Sequence, residues 1–470
     1  MNTDSPMSGQ SLILHLGLGS FHRAHQAVYL QKLHELGDLS WVIAAGNIRN
    51  DMYDVVGCLE LQHGEYTLET VSPRGRRCFE RIASIREVVP FTPSLARLVE
   101  LGADAATRII SFTVTEAGYH LDARDALDMG HAALRGDVED GARCTIYGAL
   151  EAILQERMKR HGAPVTLLSC DNLLSNGARF RAGLLDFLGR RQQTALCAWV
   201  EANTTCPNSM VDRITPRPLP GAAARVKAAT GWDDTAPVMS ETFCQWVIED
   251  RFIAGRPAWE RVGAEMVDSV HAYEEAKIRL LNATHSCLAW AGTLRGLTYI
   301  HESIKVASVR QMAHDYITHD AIPCLHRPGN PSPVDLAAYR DIVLERFSSP
   351  YLLDTNERVA SDGYAKLAGF VLPTLIDCIE LGLPFQSTAL LPALFFEFLG
   401  RWHRGKLPYE YCDSLMDPQV THAHFRASDP LASFCRDARL WGPLAGSPVL
   451  LSTMRLVQAK VLRYTLQPVY

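Results

Sequence analysis

The apolar positions in the first half of the chain fall in short runs separated by longer amphipathic stretches. Residues 12–16, 41–45, 108–114 and Val165–Ser169 are each brief and rich in Ile, Val or Leu. Runs of that length, apolar on both faces, predict buried strands. Residues 24–36 and Ile146–Arg160 instead repeat their apolar positions with a helical period. Strand–helix alternation predicts a mostly parallel sheet with helices on its faces. From about residue 271 the pattern changes. Residues 273–291, 304–318, 336–346 and 390–402 have helical periodicity, and strand signals become sparse. The predicted fold class is therefore α/β: a Rossmann-like domain over residues 1–270, then a largely α-helical domain over residues 271–470. The Gly/Pro-containing stretch 254–257 marks the approach to the boundary, which is placed near 265–275.

Length and composition narrow the class. A chain of 470 residues is too long for one ordinary core. Hydrophobic and charged contents of 47% and 21% are those of a globular protein. A net charge of −6 argues against a general nucleic-acid or acidic-membrane binder, which needs a basic face. The twelve cysteines are scattered without a CxxC pair, so neither a disulfide framework nor a zinc ribbon is expected. Met1–Gln10 is polar, and no apolar run of membrane-spanning length follows. A reduced, cytoplasmic protein is the expectation.

Candidate chemistry begins at the end of the first strand. In LILHLGLGSFHRAHQ, Gly17 and Gly19 lie between a strand and a helix. A dinucleotide pyrophosphate sits against backbone N–H groups at a helix N-terminus, and glycine lets the backbone approach it. Gly17, Leu18, Gly19, Ser20 and Phe21 are thus cofactor-binding candidates. The fingerprint is incomplete, because His22 stands where its third glycine is usual. An ordinary tight strand–helix turn is the alternative. After the second strand come Gly46, Asn47, Ile48 and Arg49, with Asp51 beyond. An acid there would hold the ribose hydroxyls of NAD, whereas Arg49 could meet the 2′-phosphate of NADP. The residues leave that choice open.

A second constellation lies in YEEAKIRLLNATHS, which places Glu274, Lys277, Asn282 and His285 on one predicted helix. On an ideal α-helix Lys277 and Asn282 are about 140° apart, and Lys277 and His285 about 80°. A shared site needs a long lysine arm or a distorted turn. Lys277 could instead pair with Glu274 on a surface. Leu280, Leu281, Ala283, Cys287, Leu288 and Trp290 make the helix apolar on several sides, however. A helix of that kind is buried, and its polar residues need partners.

These segments, with others, resemble the mannitol dehydrogenase family of long-chain polyol dehydrogenases. The resemblance spans about residues 12–445. It rests on GLGSFHRAHQ (17–26), TEAGY (115–119), SCDN (169–172), CPNSMVDRITP (206–216), K-x4-N-x2-H (277–285) and NERVASDGYAK (356–366). The stretches IAAGNIRND, ETVSP, YEEAKIRLLNATHSCLAWAGTL and YIHES look most like its arabinitol-oxidising members. The resemblance implies a metal-independent, NAD-dependent oxidation of D-arabinitol to D-xylulose by a monomer. It implies that Lys277 is the general base, that Asn172 and Asn282 hold the substrate oxygen, and that His285 positions substrate hydroxyls. Asp212, Arg358 and Lys366 would line the substrate pocket, and Glu116 and Glu274 would pass the proton to water. Asn47, Arg49 and Thr115 join the cofactor-binding set.

The chemistry is coherent. Oxidising a secondary alcohol removes a hydroxyl proton and passes a hydride to nicotinamide. A lysine with an ordinary pKa of about 10.4 must be buried to act as a base near neutrality. Two amide N–H groups on the oxygen would stabilise developing negative charge. Rival readings are zinc catalysis through His22/His25 or His422/His424, a sister activity on mannitol or a hexuronate, and a nucleotide-binding sensor without turnover. None of the histidine pairs has a convincing ligand array around it.

Overall fold

The computed structural model describes residues 9–122, 125–216, 221–327, 329 and 331–466, with no side-chain description for 462–466. The polar N-terminal stretch noted above lies outside them as far as residue 8. The chain forms two compact units. One comprises the described part of Met1–Ser72 with Arg76–His271, the other Pro73–Gly75 with Ala272 onward. Among the described residues no helix is long and apolar enough to cross a membrane.

The first unit is built on a six-stranded parallel sheet. Its strands are β1 (Ser11–Leu16), β2 (Trp41–Gly46), β3 (Ile85–Val89), β4 (Thr107–Phe112), β5 (Val165–Ser169) and β6 (Thr204–Thr205). They lie in the order β3-β2-β1-β4-β5-β6. This is the doubly wound dinucleotide-binding order, with its switch point between β1 and β4. Successive side chains of a strand point to opposite faces, and β1 splits its apolar set accordingly. Leu12, Leu14 and Leu16 pack with Leu150, Ile153 and Phe180 from helices Ile146–Arg160 and Asn176–Arg190. Ile13 packs on the other face with Val28, Leu30 and Leu33 of helix Gln26–Glu35, beside Trp246 and Trp259. Two three-stranded sheets accompany the main one. One joins Tyr66–Val71 to Arg77–Ile82 and Val238–Glu241, and the other joins Ser209–Asp212 to Gln245–Glu249 and Glu265–Val267.

In the first unit two elements differ from the sequence expectation for identifiable reasons, and in the second the helix expected over 304–318 is interrupted by extended backbone at Val306 (φ −70°, ψ 114°). The helix expected over 24–36 is broken at His25 (φ −127°, ψ −85°) into Ser20–Ala24 and Gln26–Glu35. There the ring Nε2 of His25 pairs with the carbonyl of Gln245. The strand expected to reach residue 114 stops at Phe112. The Val114 and Thr115 N–H groups are held by the Asp171 carboxylate instead of a sheet ladder.

The second unit is helical around one buried rod, His271–Leu294. The rod is α-helical except over Lys277–Asn282, where it is a π-helix closed by an Ala283 N–H to Ile278 C=O bond. Two more π segments, Tyr316–Ala321 and Leu367–Val371, pack against it. Both precede a proline, Pro323 and Pro373, in the helices Ile322–Leu325 and Leu372–Leu381. A proline ring clashes with the carbonyl four residues before it, and a widened turn relieves that clash. The π turn over Lys277–Asn282 contains no proline and no glycine, so local sequence does not account for it.

Candidate active site

In the first unit the candidates collect at the carboxyl ends of β1, β2, β4 and β5. Gly17 leaves β1 with φ +116°, and a Cβ there would lie 2.2 Å from the Thr113 carbonyl oxygen. Only glycine fits that conformation and that approach. Gly17 N–H donates to Gly46 C=O, and Gly19 N–H to Gly17 C=O. Leu18 N–H donates to Asn47 Oδ1 at 2.6 Å. The loop is thus fastened by its own amides to the end of β2. Gly19 caps helix Ser20–Ala24 without a side-chain bond, leaving the first-turn amides of Ser20 and Phe21 uncapped. Asn47 is buried, and its Nδ2 finds no protein partner. These are fitting surroundings for a dinucleotide phosphate.

The histidine in the third-glycine position has a structural explanation. His22 stacks face to face on His15 of β1, with ring centroids 3.4 Å apart and planes 12° apart. That glycine ordinarily permits close helix–strand packing; here two flat rings achieve it. Burial drives both rings toward the neutral form: His15 falls to about 3, and His22 falls well below the usual histidine range. Arg49 and Asp51 pair with each other at 3.1 Å on the surface.

Thr115 lies at the exit from β4 with φ 64° and ψ 166°, a region nearly reserved for glycine. The buried carboxylate of Asp171, which follows β5, holds it there. Asp171 accepts from Val114 N–H (2.9 Å), Thr115 N–H (2.8 Å) and the Tyr119 hydroxyl (3.0 Å). Burial raises the Asp171 carboxyl to about 6 against the pull of those donors. Asp171 was not singled out as a site residue from sequence, although SCDN contains it. Through it, Thr115–Glu116 and Asn172 are brought to the ends of neighbouring strands. Glu116 and Asn172 are exposed. Asp212 is buried at the end of strand Ser209–Asp212, which is tied to β5 by a Ser209 Oγ to Ser169 C=O bond of 2.6 Å.

In the second unit the π turn resolves the angular mismatch noted from sequence. A π turn adds one residue to an α-helix. The spacings 277, 282 and 285 therefore act as positions i, i+4 and i+7. Lys277 and His285 come within about 20° of each other around the rod, and Asn282 falls within about 40° of Lys277. Glu274 and Lys277 are 4% and 7% exposed. His285 stacks on Phe347, and its Nε2 lies 3.0 Å from Asp354 Oδ2. The other Asp354 oxygen receives Nε and NH2 of Arg358 at 2.7 and 2.6 Å. Burial lowers the His285 pKa, Asp354 opposes this, and the charges of Arg358 and Lys366 lower it further. Burial pushes the Asp354 carboxyl up, but its contacts with His285 and Arg358 bring it to about 2. The state consistent with both directions is an ionised carboxylate beside a neutral imidazole. Lys366 Nζ donates to the carbonyls of Val359 and Ser361. The segment carrying Arg358 is seated by Asn356, which bonds Leu297 C=O and Ser303 Oγ. Gly292 permits this, since a Cβ there would lie 2.0 Å from Ser303 Oγ.

Of the histidines considered as zinc ligands, His22 stacks on His15, and the ring nitrogens of the other three meet neighbouring groups. His25 meets Gln245, His424 meets Ser433 and Asp437, and His422 lies 2.7 Å from His403, nitrogen to nitrogen.

Sheet order, glycine loop and a helical unit with a buried lysine define a two-unit dehydrogenase of the dinucleotide-binding class. Residues 11–261 match the mannitol dehydrogenase Rossmann domain, and residues 269–456 match the mannitol dehydrogenase C-terminal domain. The chain belongs to the mannitol dehydrogenase family. It is 55% identical to a D-arabinitol 4-dehydrogenase of Ralstonia nicotianae, covering 98% of each chain. It is 51% identical to a D-arabinitol 4-dehydrogenase of Klebsiella pneumoniae, covering 98% of this chain and all of that one. The Pseudomonas fluorescens mannitol 2-dehydrogenase, solved as a ternary complex with NAD and D-mannitol, superposes with a TM-score of 0.83 at 30% identity. That match covers 97% of this chain and 94% of the other.

Proposed function

We propose that this chain oxidises D-arabinitol at C4 to D-xylulose with NAD, using Lys277 as general base. The family and the near full-length similarity to two D-arabinitol 4-dehydrogenases support the reaction and substrate. The π turn carries the lysine assignment. It aligns Lys277, Asn282 and His285 on one face at a place where nothing in the local sequence forces a widened helix. Lys277 is buried on that face, away from bulk water.

Gly17, Leu18, Gly19, Ser20, Phe21, Asn47, Arg49 and Thr115 would hold NAD, which supplies the hydride acceptor. NAD rather than NADP is the proposed cofactor, a choice supported by the NAD bound in the Pseudomonas fluorescens relative. Lys277 takes the hydroxyl proton. Asn282 and Asn172 donate amide N–H groups to the oxygen as negative charge develops there. Glu274 and Glu116 return the proton to water. His285, Arg358, Lys366 and Asp212 position the remaining hydroxyls.

The test is a panel of pentitols, hexitols and hexuronates, each run with NAD and with NADP. D-arabinitol with NAD is expected to have the highest kcat/KM. A preference for mannitol or a hexuronate would move the chain to a sister activity. Absence of NADH formation with every polyol would leave a nucleotide-binding sensor. Lys277→Ala should lower kcat by about 100–10,000-fold with cofactor affinity retained; undiminished turnover refutes the lysine assignment.

A further inference from the structure

Lys277, Asn282 and His285 reach one face through the helix itself. His285 has an additional constraint from outside the helix. Its Nε2 lies 3.0 Å from Oδ2 of Asp354, a half-buried residue in the loop before Asn356–Ala360. The carboxylate is fixed from the far side by two guanidinium contacts from Arg358 to Oδ1. The imidazole is fixed from its own face by stacking on Phe347 at 4.7 Å. The nitrogen and the carboxylate oxygen are in contact but not aligned as a hydrogen bond. Contacts of this kind commonly tighten into aligned hydrogen bonds when a site engages its substrate.

We infer that Asp354 is the positioning residue of the reaction, setting the tautomer of His285 on one oxygen and the direction of Arg358 on the other. This deepens the proposed function and rests on it for the identity of the substrate. The physical reason is that a neutral imidazole has two inequivalent nitrogens, and the partner of one decides the role of the other. An ionised carboxylate accepts only. It selects the tautomer with the proton on Nε2, leaving Nδ1 as an acceptor for a polyol hydroxyl. The same carboxylate holds Arg358 as a donor. One carboxylate thus prepares an acceptor and a donor for adjacent hydroxyl groups. Asp354 touches neither substrate nor cofactor in this role.

The experiment is a double-mutant cycle in the full-length protein, with one readout independent of turnover. Asp354→Asn keeps the shape and removes the charge. In otherwise wild-type protein it should lower kcat/KM for D-arabinitol by about 10–100-fold, the usual cost of losing an orienting partner, with NADH affinity unchanged by fluorescence titration. In the His285→Ala background the loss should shrink, because only the Arg358 branch remains to be lost. In a combined His285→Ala/Arg358→Ala background it should fall below about threefold. Equal factors in all backgrounds would mean that Asp354 serves only the fold, and would overturn the inference. The second readout is the 15N shift of the His285 ring in histidine-labelled protein, assigned by its disappearance in His285→Ala. Wild type should show the Nε2-protonated neutral ring, and Asp354→Asn a mixture of tautomers. An Nδ1-protonated wild-type ring overturns the inference even if arabinitol is oxidised. A chain inactive on every polyol but with the expected ring signal and its loss in Asp354→Asn overturns the substrate assignment alone.

Discussion

Replacing Thr115 with glycine should make the protein more stable and less active. Thr115 is held at φ 64°, ψ 166°, where a side chain costs on the order of 1–3 kcal/mol. Glycine removes that cost but adds about 0.5–1 kcal/mol through the freedom it gives the unfolded chain. The difference leaves roughly 1 kcal/mol in favour of the variant. For a unit of this size, that corresponds to a rise in Tm of about 2–4 °C. Alanine is the control. It keeps a Cβ and therefore the strain, so Thr115→Ala should melt near or below wild type. The activity prediction follows from the adjacent residue. Glu116 begins the short turn after Thr115, and a glycine hinge there lets the carboxylate wander. Polyol kcat/KM should therefore fall while thermal stability rises. The assay is thermal melting and steady-state NADH formation for the three proteins. A Thr115→Gly protein that melts below Thr115→Ala would show that the backbone is not strained at this point, and the reasoning would fail.

Three further outcomes are expected. Gly17→Ala introduces a Cβ 2.2 Å from the Thr113 carbonyl in a left-handed conformation; about 1–2 kcal/mol of backbone cost and 1–3 kcal/mol of overpacking should weaken NADH binding at least about tenfold, and unchanged affinity in a titration would contradict the cradle. The Asp171 carboxyl is raised to about 6 in the fold, so its contribution to stability is fully present below its ordinary pKa and is lost as pH rises through 6. Wild type should lose up to about 3 kcal/mol relative to Asp171→Asn between pH 4 and 7, and a pH-independent difference in Tm between the two proteins would count against it. Asn282→Ala should lower kcat by about 100–1000-fold if its amide stabilises the developing oxyanion, whereas a change confined to KM would reduce it to a ground-state contact.

Much of the architecture was legible along the chain. Buried parallel strands announce themselves as short apolar runs, and helices by their period, because both signals are local. The four strands read from sequence are present within a residue or two at each end, the largest difference being the β4 run, which stops at Phe112. Strands β3 and β6 and the two small sheets are not legible as short apolar runs, and of their pairings only that of Tyr66–Val71 with Arg77–Ile82 is local. The glycine loop was legible for the same reason as the strands: a backbone conformation that excludes side chains leaves its mark on the residue itself.

What the sequence determined by itself was the set of chemical groups, their order along the chain and the family they belong to. Tertiary structure decided how those groups face one another. The K-x4-N-x2-H spacing makes a common face only because packing widens one turn of the rod, and no residue within the turn signals it. The partner of His285 and the donors that pin Asp171 come from elsewhere in the chain, and the stacking of His22 on His15 is set by how the first helix folds back on β1. Local periodicity fixes which side of an element is buried. Where a carboxylate meets an imidazole depends on the path of the backbone between them, and only the packed chain specifies that.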